Sequence, residues 1–509
     1  MIVEAIRTLS RDQAAPTALG LARLVAEAEV GGPPSGENTP LYAPRRKIYP
    51  QSVHGTFRSI KWAVLYVTLG VYYLLPFLRW DRGPLAPHQA VLLDLPNRRF
   101  YFFFIEIWPQ EVYYFTGLLI LASIVLFLMN AVAGRVWCGY LCPQTVWTDV
   151  FQAIERLTEG DRRDHLLREG KKWTAETYAR KAVKHFLWLM VAWWTGGAWV
   201  LYFADAPTLV KDLATGHAAF IAYVFIGILT FTTYTLAGHM REQVCLYMCP
   251  WPRIQAALTD DDALNVSYRF DRGEPRMSLK DAARAHAHDE PAGDCVDCLQ
   301  CVAVCPTGID IRNGPQLGCI NCGLCIDACD AVMEKIKRPT RLIAYDNDEN
   351  RERRLKGESN VYRFVRPRTV MYGVLIVLVA GIMLYVLTTR SSSHLSVLHV
   401  RAPLFTQTAE GGIRNGYTLR FSNKLPEPAD FALAVTGVPG ITLSSVVAKT
   451  LPDGRLGVHL DPDSTFETPV YVTTAPDVNL AASSTPLTFT AVETKTGELS
   501  VVVDHFFGP

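Results

Sequence analysis

Hydrophobic residues in this chain gather into long uncharged runs separated by polar stretches, and towards the C-terminus the runs give way to short alternating segments. Five runs, Ile60–Leu78, Val112–Ala133, Phe186–Phe203, Ala218–Ala237 and Val370–Thr388, approach or exceed the ~20 residues an α-helix needs to cross a bilayer core. Tyr72, Tyr73, Trp108, Trp137, Trp147, Trp188 and Trp199 lie in or beside them, as interfacial aromatics do. The pattern predicts an integral membrane protein with an α-helical bundle of five spans. Beyond Arg390, segments such as Tyr417–Phe421, Phe431–Val435, Val470–Thr474, Leu487–Ala491 and Leu499–Val503 alternate between turn residues. That period predicts a C-terminal all-β, immunoglobulin-like sandwich of about seven strands.

The punctuation gives a division into parts. Residues 1–57 read as an N-terminal tail with a short helix at Leu19–Val30, 58–258 as four spans, 259–369 as a soluble insertion with linkers that a turn at Asp260 to Asp262 opens, 370–390 as the fifth span, and 391–509 as the sandwich. The net charge of +1 carries no nucleic-acid signature. Its distribution is more telling. Arg135, Arg156, Arg162, Arg163, Arg168, Lys171, Lys172, Arg180, Lys181 and Lys184 crowd the segment between the second and third runs, whereas the next loop has only Lys211. By the positive-inside rule the tail, that segment and the insertion face the cytoplasm, and the sandwich lies in the periplasm. Arg79, Arg82, Arg98 and Arg99 argue the other way and are outweighed by Arg45, Arg46, Lys47, Arg58 and Lys61. Residues 144–184 are expected to form a helical connection with a solvated basic face near anionic lipid.

On this topology all twelve cysteines lie on the reducing side of the membrane, so they are available for metal rather than disulfides. Eight form two matching runs, Cys295-x2-Cys298-x2-Cys301-x3-Cys305-Pro306 and Cys319-x2-Cys322-x2-Cys325-x3-Cys329. This is the spacing of bacterial ferredoxins with two [4Fe-4S] clusters, in which the fourth cysteine of each run serves the other cluster. One cluster would fall to Cys295, Cys298, Cys301 and Cys329, the other to Cys319, Cys322, Cys325 and Cys305. Zinc is the alternative, but it needs only paired ligands, not three close sulfurs and a fourth.

The remaining four cysteines make a second pattern. Cys138-x3-Cys142-Pro143 and Cys245-x3-Cys249-Pro250 each follow an apolar run. On a helix, residues four apart share a face, so each pair of thiols would point one way, with the proline ending the helix. Paired thiolates suit Cu(I), and Arg135 and Arg241 would help to keep the sulfurs ionised. The bland reading is small residues at helix ends, which the repetition weakens. His239, Met240 and Met248 are candidate auxiliary ligands against a packing role. Glu106 is a candidate proton or quinone ligand in an interfacial segment, and His286 and His288 read as solvated.

The stretches Gly134–Trp147, Arg241–Pro250, Val304–Ile311 and Cys319–Asp330, with Ile413–Tyr417 further on, resemble the CcoG, FixG and RdxA family, accessory proteins of cbb3-type cytochrome c oxidase assembly. The resemblance covers all but the first forty or so residues. It implies a bacterial inner-membrane protein that reduces Cu(II) to Cu(I) for the oxidase, with two [4Fe-4S] clusters on the eight cysteines and a copper or redox role for Cys138, Cys142, Cys245 and Cys249. Oxidase assembly factors or copper chaperones are the implied partners, with electrons from quinol or a cytoplasmic reductant. Asp330 follows Cys329 where ferredoxins have proline, which would leave that cluster more solvent-accessible. Two other functions stay open: a quinol-oxidising membrane ferredoxin feeding another reductase, and a non-enzymatic assembly scaffold or copper chaperone.

Overall fold

The computed structural model describes residues 47–508 except 84–85, 392, 425–426, 463, 477 and 479–482; the helix expected at Leu19–Val30 lies outside the described residues. The chain forms two compact units, one of residues up to 78 with 90–381 and one of 79–89 with the chain from 382 onward.

The first unit is built on apolar helices. Thr56–Phe77, Pro109–Ala133, Phe220–Met240 and Pro367–Thr388 are long and apolar enough to cross a membrane, and at most 17% of the apolar window in each is buried. Leu119, Phe231 and Val377 stand about two-thirds exposed or more. Lipid is the natural cover for such a surface. The helices that shape the site are α1 (Thr56–Leu74), α2 (Tyr113–Ala133), α3 (Val136–Tyr140), α4 (Pro143–Glu159), α5 (Ala175–Val200), α6 (Phe220–Thr233), α7 (Trp251–Leu258), α8 (Leu324–Lys335) and α9 (Pro367–Thr388). The run expected to span at 186–203 is mostly the second half of α5, whose first half carries Arg180, Lys181 and Lys184; α5 as a whole is not one of the four. It meets α6 closely, because a Cβ at Gly196 would stand 2.9 Å from the Ile226 carbonyl oxygen.

The Phe100–Trp108 segment, read as interface-hugging from sequence, belongs to an antiparallel sheet of β1 (Val91–Asp94), β2 (Arg99–Phe102) and β3 (Ile105–Ile107). Pairing satisfies its backbone internally, and Glu106 is held by Arg99 at 3.3 Å. The Asp260–Asp262 turn also does more than open a linker. Arg366, at the threshold of α9, binds Asp260 Oδ1 at 2.7 Å and Asp262 Oδ2 at 3.4 Å. Just beyond, β4 (Asn265–Tyr268) pairs antiparallel with β5 (Ile343–Asp346), so the cysteine-rich segment is closed at its base.

The basic face expected over 144–184 is largely solvated, with Arg163, Lys171, Lys172 and Arg180 exposed, but helix α4 also carries buried acids. Its Asp149, Glu155 and Glu159 are buried. Asp149 Oδ2 takes Lys61 at 3.0 Å and Arg58 at 3.4 Å. Arg241 Nη2 reaches Glu155 Oε2 at 2.6 Å, and Lys184 Nζ lies 3.7 Å from Glu155 and 3.1 Å from Glu159. Lys184 is therefore an internal counter-ion to the acids of α4, as are Arg58, Lys61 and Arg241 from outside that stretch.

With β6 (Ser393–His399), β7 (Thr406–Gln407), β8 (Ile413–Asn423), β9 (Ala429–Thr436), β10 (Ile441–Ser445), β11 (Lys449–Thr450), β12 (Leu456–Leu460), β13 (Ser464–Thr474), β14 (Ser484–Glu493) and β15 (Leu499–Phe507), the second unit contains a sandwich of two five-stranded sheets among the described residues, ordered β10-β13-β8-β6 with β7 on β8, and β11-β12-β9-β14-β15. In β8 (Ile413–Asn423) Tyr417, Leu419 and Phe421 point inward, meeting Leu433 of β9 (Ala429–Thr436) and Phe489 of β14 (Ser484–Glu493) in the core. The about seven strands read from alternation are too few, because short strands such as β10 (Ile441–Ser445) and β11 (Lys449–Thr450) bury too little to show the period.

Removing one member of a buried ion cluster leaves the others desolvated and unpaired. Asp149→Ala should therefore cost about 3–5 kcal/mol, read as a lowered unfolding midpoint of the detergent-solubilised chain; an unchanged midpoint would show that water already reaches Arg58 and Lys61.

Candidate iron–sulfur and thiol site

The eight cysteines of the double run converge. Cys329 lies in the electrostatic field of Cys301, Cys298 and Cys295, while Cys319 and Cys322 both feel Cys305. Cys325 feels Cys322, Cys319 and Cys305 first and Cys301 of the neighbouring set last. The sulfurs thus sort into two crossed sets, with the last cysteine of each run among the first three of the other. One cavity is lined by Cys301, Cys305, Cys319, Cys322 and Cys325 together with Val266, Pro306 and Ile309. Soft sulfur donors in an apolar cradle, with no carboxylate among the lining residues, fit an iron–sulfur cluster. Cys329 is buried although Asp330 stands where ferredoxins have proline, and Asp330 Oδ1 accepts from the Arg341 amide at 2.7 Å. The exposed member of that set is Cys298.

Burial pushes the Cys301, Cys319 and Cys329 thiols up to about 12. Metal, not a neighbouring base, must therefore displace their protons.

The loop 317–322 is where this region meets the membrane helices. The Arg135 guanidinium donates to the Leu317 carbonyl, to the Cys319 carbonyl at 3.2 Å and to the Pro252 carbonyl at 2.9 Å. Tyr140 Oη donates to the Cys322 carbonyl at 2.9 Å. A Cβ on Gly139 would stand 2.6 Å from the Ile320 carbonyl oxygen, and one on Gly318 would stand 3.1 Å from Leu246. The two Cys-x3-Cys-Pro segments thus both pack on this loop. Cys138 packs against the apolar cluster of Ile320, Cys322 and Leu324 that Cys325 also joins.

The two motifs also come to each other. Cys138 feels Cys142, Cys245 and Cys249, and Cys245 feels Cys142 and Cys249. Their local shape differs from the helical pair expected. Cys138 is on the single turn of α3, but Cys142 is extended (φ −60°, ψ 126°) and caps α4, which Pro143 begins. Val244–Met248 is a π turn, Cys249 is extended, and Pro250 caps α7. Proline starts the next helix because its fixed φ suits a first turn whose amides have no partner anyway. Each motif therefore places its thiols on either side of a bend.

The expected help from arginine also fails. Burial first, then Cys142, pushes Cys138 up to about 12, and the opposing pull of Arg135 is too weak to reverse it. Burial likewise pushes Cys245 up to about 12, and Arg241 is spent on Glu155 and the Gly238 carbonyl. Cys138 Sγ instead donates to Gln255 Oε1 at 3.4 Å. Cys249 is exposed, while the other three thiols are half-buried. His239 packs among His185, Trp188 and Tyr234, Met248 is exposed, and exposed His288 has the solvated setting expected of it.

Several supporting residues escape a sequence reading. Asp327 lies between two cysteines of α8 and accepts from the Phe57 and Arg58 amides at 3.2 and 2.7 Å, capping α1 from another part of the chain. Arg312 is buried and binds Asp310 Oδ2 at 2.7 Å and also Asp297, which lies between Cys295 and Cys298. An acid inside each cysteine run was the visible signal; the partner of each was not.

Comparison with known proteins follows the same division. Residues 240–348 match a family described as a 4Fe-4S dicluster domain, 115–159 a 4Fe-4S binding domain, and 383–509 an IG-like fold at the C-terminal of FixG, putative oxidoreductase. All twelve cysteines fall inside the two iron–sulfur matches. The chain is 46% identical over 461 residues to the nitrogen fixation protein FixG of Rhizobium meliloti, covering 85% of this chain and 87% of that one. It is 50% identical over 405 residues to protein RdxA of Cereibacter sphaeroides, covering 79% and 85%, and 49% identical over 414 residues to its protein RdxB, covering 81% and 86%.

If contact with α3 holds the cluster loop in shape, Gly139→Val must push the Ile320 carbonyl away. Iron bound to the purified chain should then fall from ~8 towards ~4 atoms; full retention of iron would show that the loop keeps its form without that contact.

Proposed function

Because the chain belongs to the FixG and RdxA family, we propose that this membrane iron–sulfur electron-transfer protein reduces Cu(II) to Cu(I) and supplies it for assembly of a cbb3-type cytochrome c oxidase. The observation that carries the reading is the packing of Cys138 on the apolar cluster that includes Cys322 and Cys325. Thiols able to hold copper thereby lie beside sulfurs able to hold an electron carrier. Cys295, Cys298, Cys301 and Cys329 would hold one [4Fe-4S] cluster, and Cys305, Cys319, Cys322 and Cys325 the other; bound there, they supply one-electron carriers.

The substrate is the cupric ion. Cys249, exposed, meets it first, and Cys142, Cys245 and Cys138 lead inward. One electron converts Cu(II) to Cu(I), and thiolate ligands favour the reduced ion, so binding and reduction pull the same way. Gln255 accepts the Cys138 thiol hydrogen bond and so restrains where that sulfur points. Arg135 ties both motifs to the loop through three carbonyls, which fixes the separation an electron must cross. The charge pattern supports a cytoplasmic iron–sulfur region and a periplasmic sandwich in a bacterial inner membrane, and the sandwich is a surface for oxidase assembly factors or copper chaperones.

One observation favours a second reading: the match of 115–159 to a 4Fe-4S binding domain supports iron–sulfur, in place of copper, at the four membrane-edge thiols. Cys138→Ser combined with Cys245→Ser separates the two. Cupric reduction, followed as Cu(I) trapped by bathocuproine disulfonate, should fall by more than about tenfold while iron stays at ~8 atoms per chain. Loss of iron in that variant would instead assign the thiols to iron, and retained cupric reduction would leave a scaffold or another acceptor as the function.

A further inference from the structure

A second cluster of chemistry lies at the membrane end of the thiol site, and the copper reading does not use it. Tyr234 Oη and His185 Nδ1 are 2.9 Å apart. The imidazoles of His185 and His239 stack with centroids 5.9 Å apart and planes 18° apart, and Trp188 stands edge-on to both. Tyr234 and His239 belong to a π turn, Tyr234–Met240, that ends a membrane-length helix; such turns recur at functional sites. His239 is exposed and its two partners are half-buried. Around them the surface is apolar, with Phe186, Met190, Ile228 and Phe231 at least half exposed. Two imidazoles and a phenol opening onto an apolar, lipid-covered surface suit a ligand that is itself a greasy ring bearing two hydroxyls.

The interior side of the cluster is equally suggestive. Lys184, next to His185, lies 3.1 Å from Glu159 Oε2, which stands 3.8 Å from His165 Nδ1. Lys184 and Glu159 are buried and paired, with His165 half-buried beside them. Gln144, two residues after Cys142, donates to the Leu236 carbonyl at 2.8 Å and the Arg241 carbonyl at 3.2 Å. The π turn is thus tied directly to the first thiol motif.

We propose that His185, Tyr234 and His239 bind the headgroup of a membrane quinol and that electrons enter the protein there. The proposal rests on the iron–sulfur reading above. Oxidation of the quinol breaks its two O–H bonds and yields the quinone, two protons and two electrons. With His185 donating Nδ1–H to Tyr234 Oη, its Nε2 is free to take one proton, and exposed His239, stacked on His185, takes the other and releases it to solvent. Clusters held by the eight cysteines would supply one-electron acceptors for the two electrons, and two cupric ions would be the final acceptors.

The test uses the full chain in lipid nanodiscs with two probes. Illuminated azidoubiquinone should label peptides containing His185 or Tyr234–Met240, and unlabelled decylubiquinol should compete. Decylubiquinol should bleach the iron–sulfur absorbance of the wild type. His185→Gln should slow that bleaching by about 100-fold, and Tyr234→Phe, which keeps the ring packing, should slow it less, with dithionite bleaching all three equally. Labelling elsewhere, wild-type bleaching by dithionite alone, or equal rates in the variants overturns the site. Cupric reduction by dithionite-loaded protein is measured in parallel: its absence, with quinol bleaching intact, removes the copper reading and leaves this one standing.

Discussion

The Arg135 guanidinium is the constraint on which the rest depends. It gathers the carbonyls of Leu317, Cys319 and Pro252, and so joins the end of α2, the loop that carries Cys319 and the start of α7 after the second thiol motif. A planar cation with several fixed donors can satisfy three acceptors at once, which a lysine could not do with the same geometry. The close approach of Gly139 to the Ile320 carbonyl follows from that gathering, because backbone can meet backbone only where no Cβ intervenes. Distance between redox groups is thereby set by backbone packing rather than by mobile side chains.

Around this junction the protein spends charge inside itself. Asp149, Glu155 and Glu159 on α4 hold Arg58, Lys61, Lys184 and Arg241 from helices and turns far apart in sequence. Buried pairs of this kind add little net stability but penalise any arrangement that separates them. They fix α1, α5 and the π turn against α4 and with them the position of both thiol motifs. Asp327 adds a further tie by capping α1 from within a cysteine run.

Much of the architecture could be read before any coordinates. Runs such as Val112–Ala133 and Val370–Thr388 are too apolar to be anything but helices for lipid, and Tyr417–Phe421 alternates as a strand with one wet face should. Other features resisted. The Cys-x3-Cys spacing suggests a continuous helix, yet each motif bends at its second cysteine because the proline that follows is better placed at the start of a helix than at the end of one. The basic stretch after Cys142 is mostly solvated, as its charge suggests, but Lys184 is buried; charge counting is blind to partners, and those of Lys184 lie on another helix.

The order of the residues determined by itself which chemistry is available: two interlocking sets of four sulfurs, two further pairs beside apolar helices, and a sandwich without cysteine. Spacing is enough for that, since ligands of one cluster must be close in the chain or repeat in register. Only the tertiary structure decided that the sulfur pairs meet each other and the cluster loop, that Arg135 binds carbonyls instead of ionising thiols, and that His185 joins Tyr234 and His239. Those contacts link positions from about fifty to nearly two hundred residues apart. No local propensity encodes them; they arise when buried polar groups must find partners and apolar backbone surfaces must close.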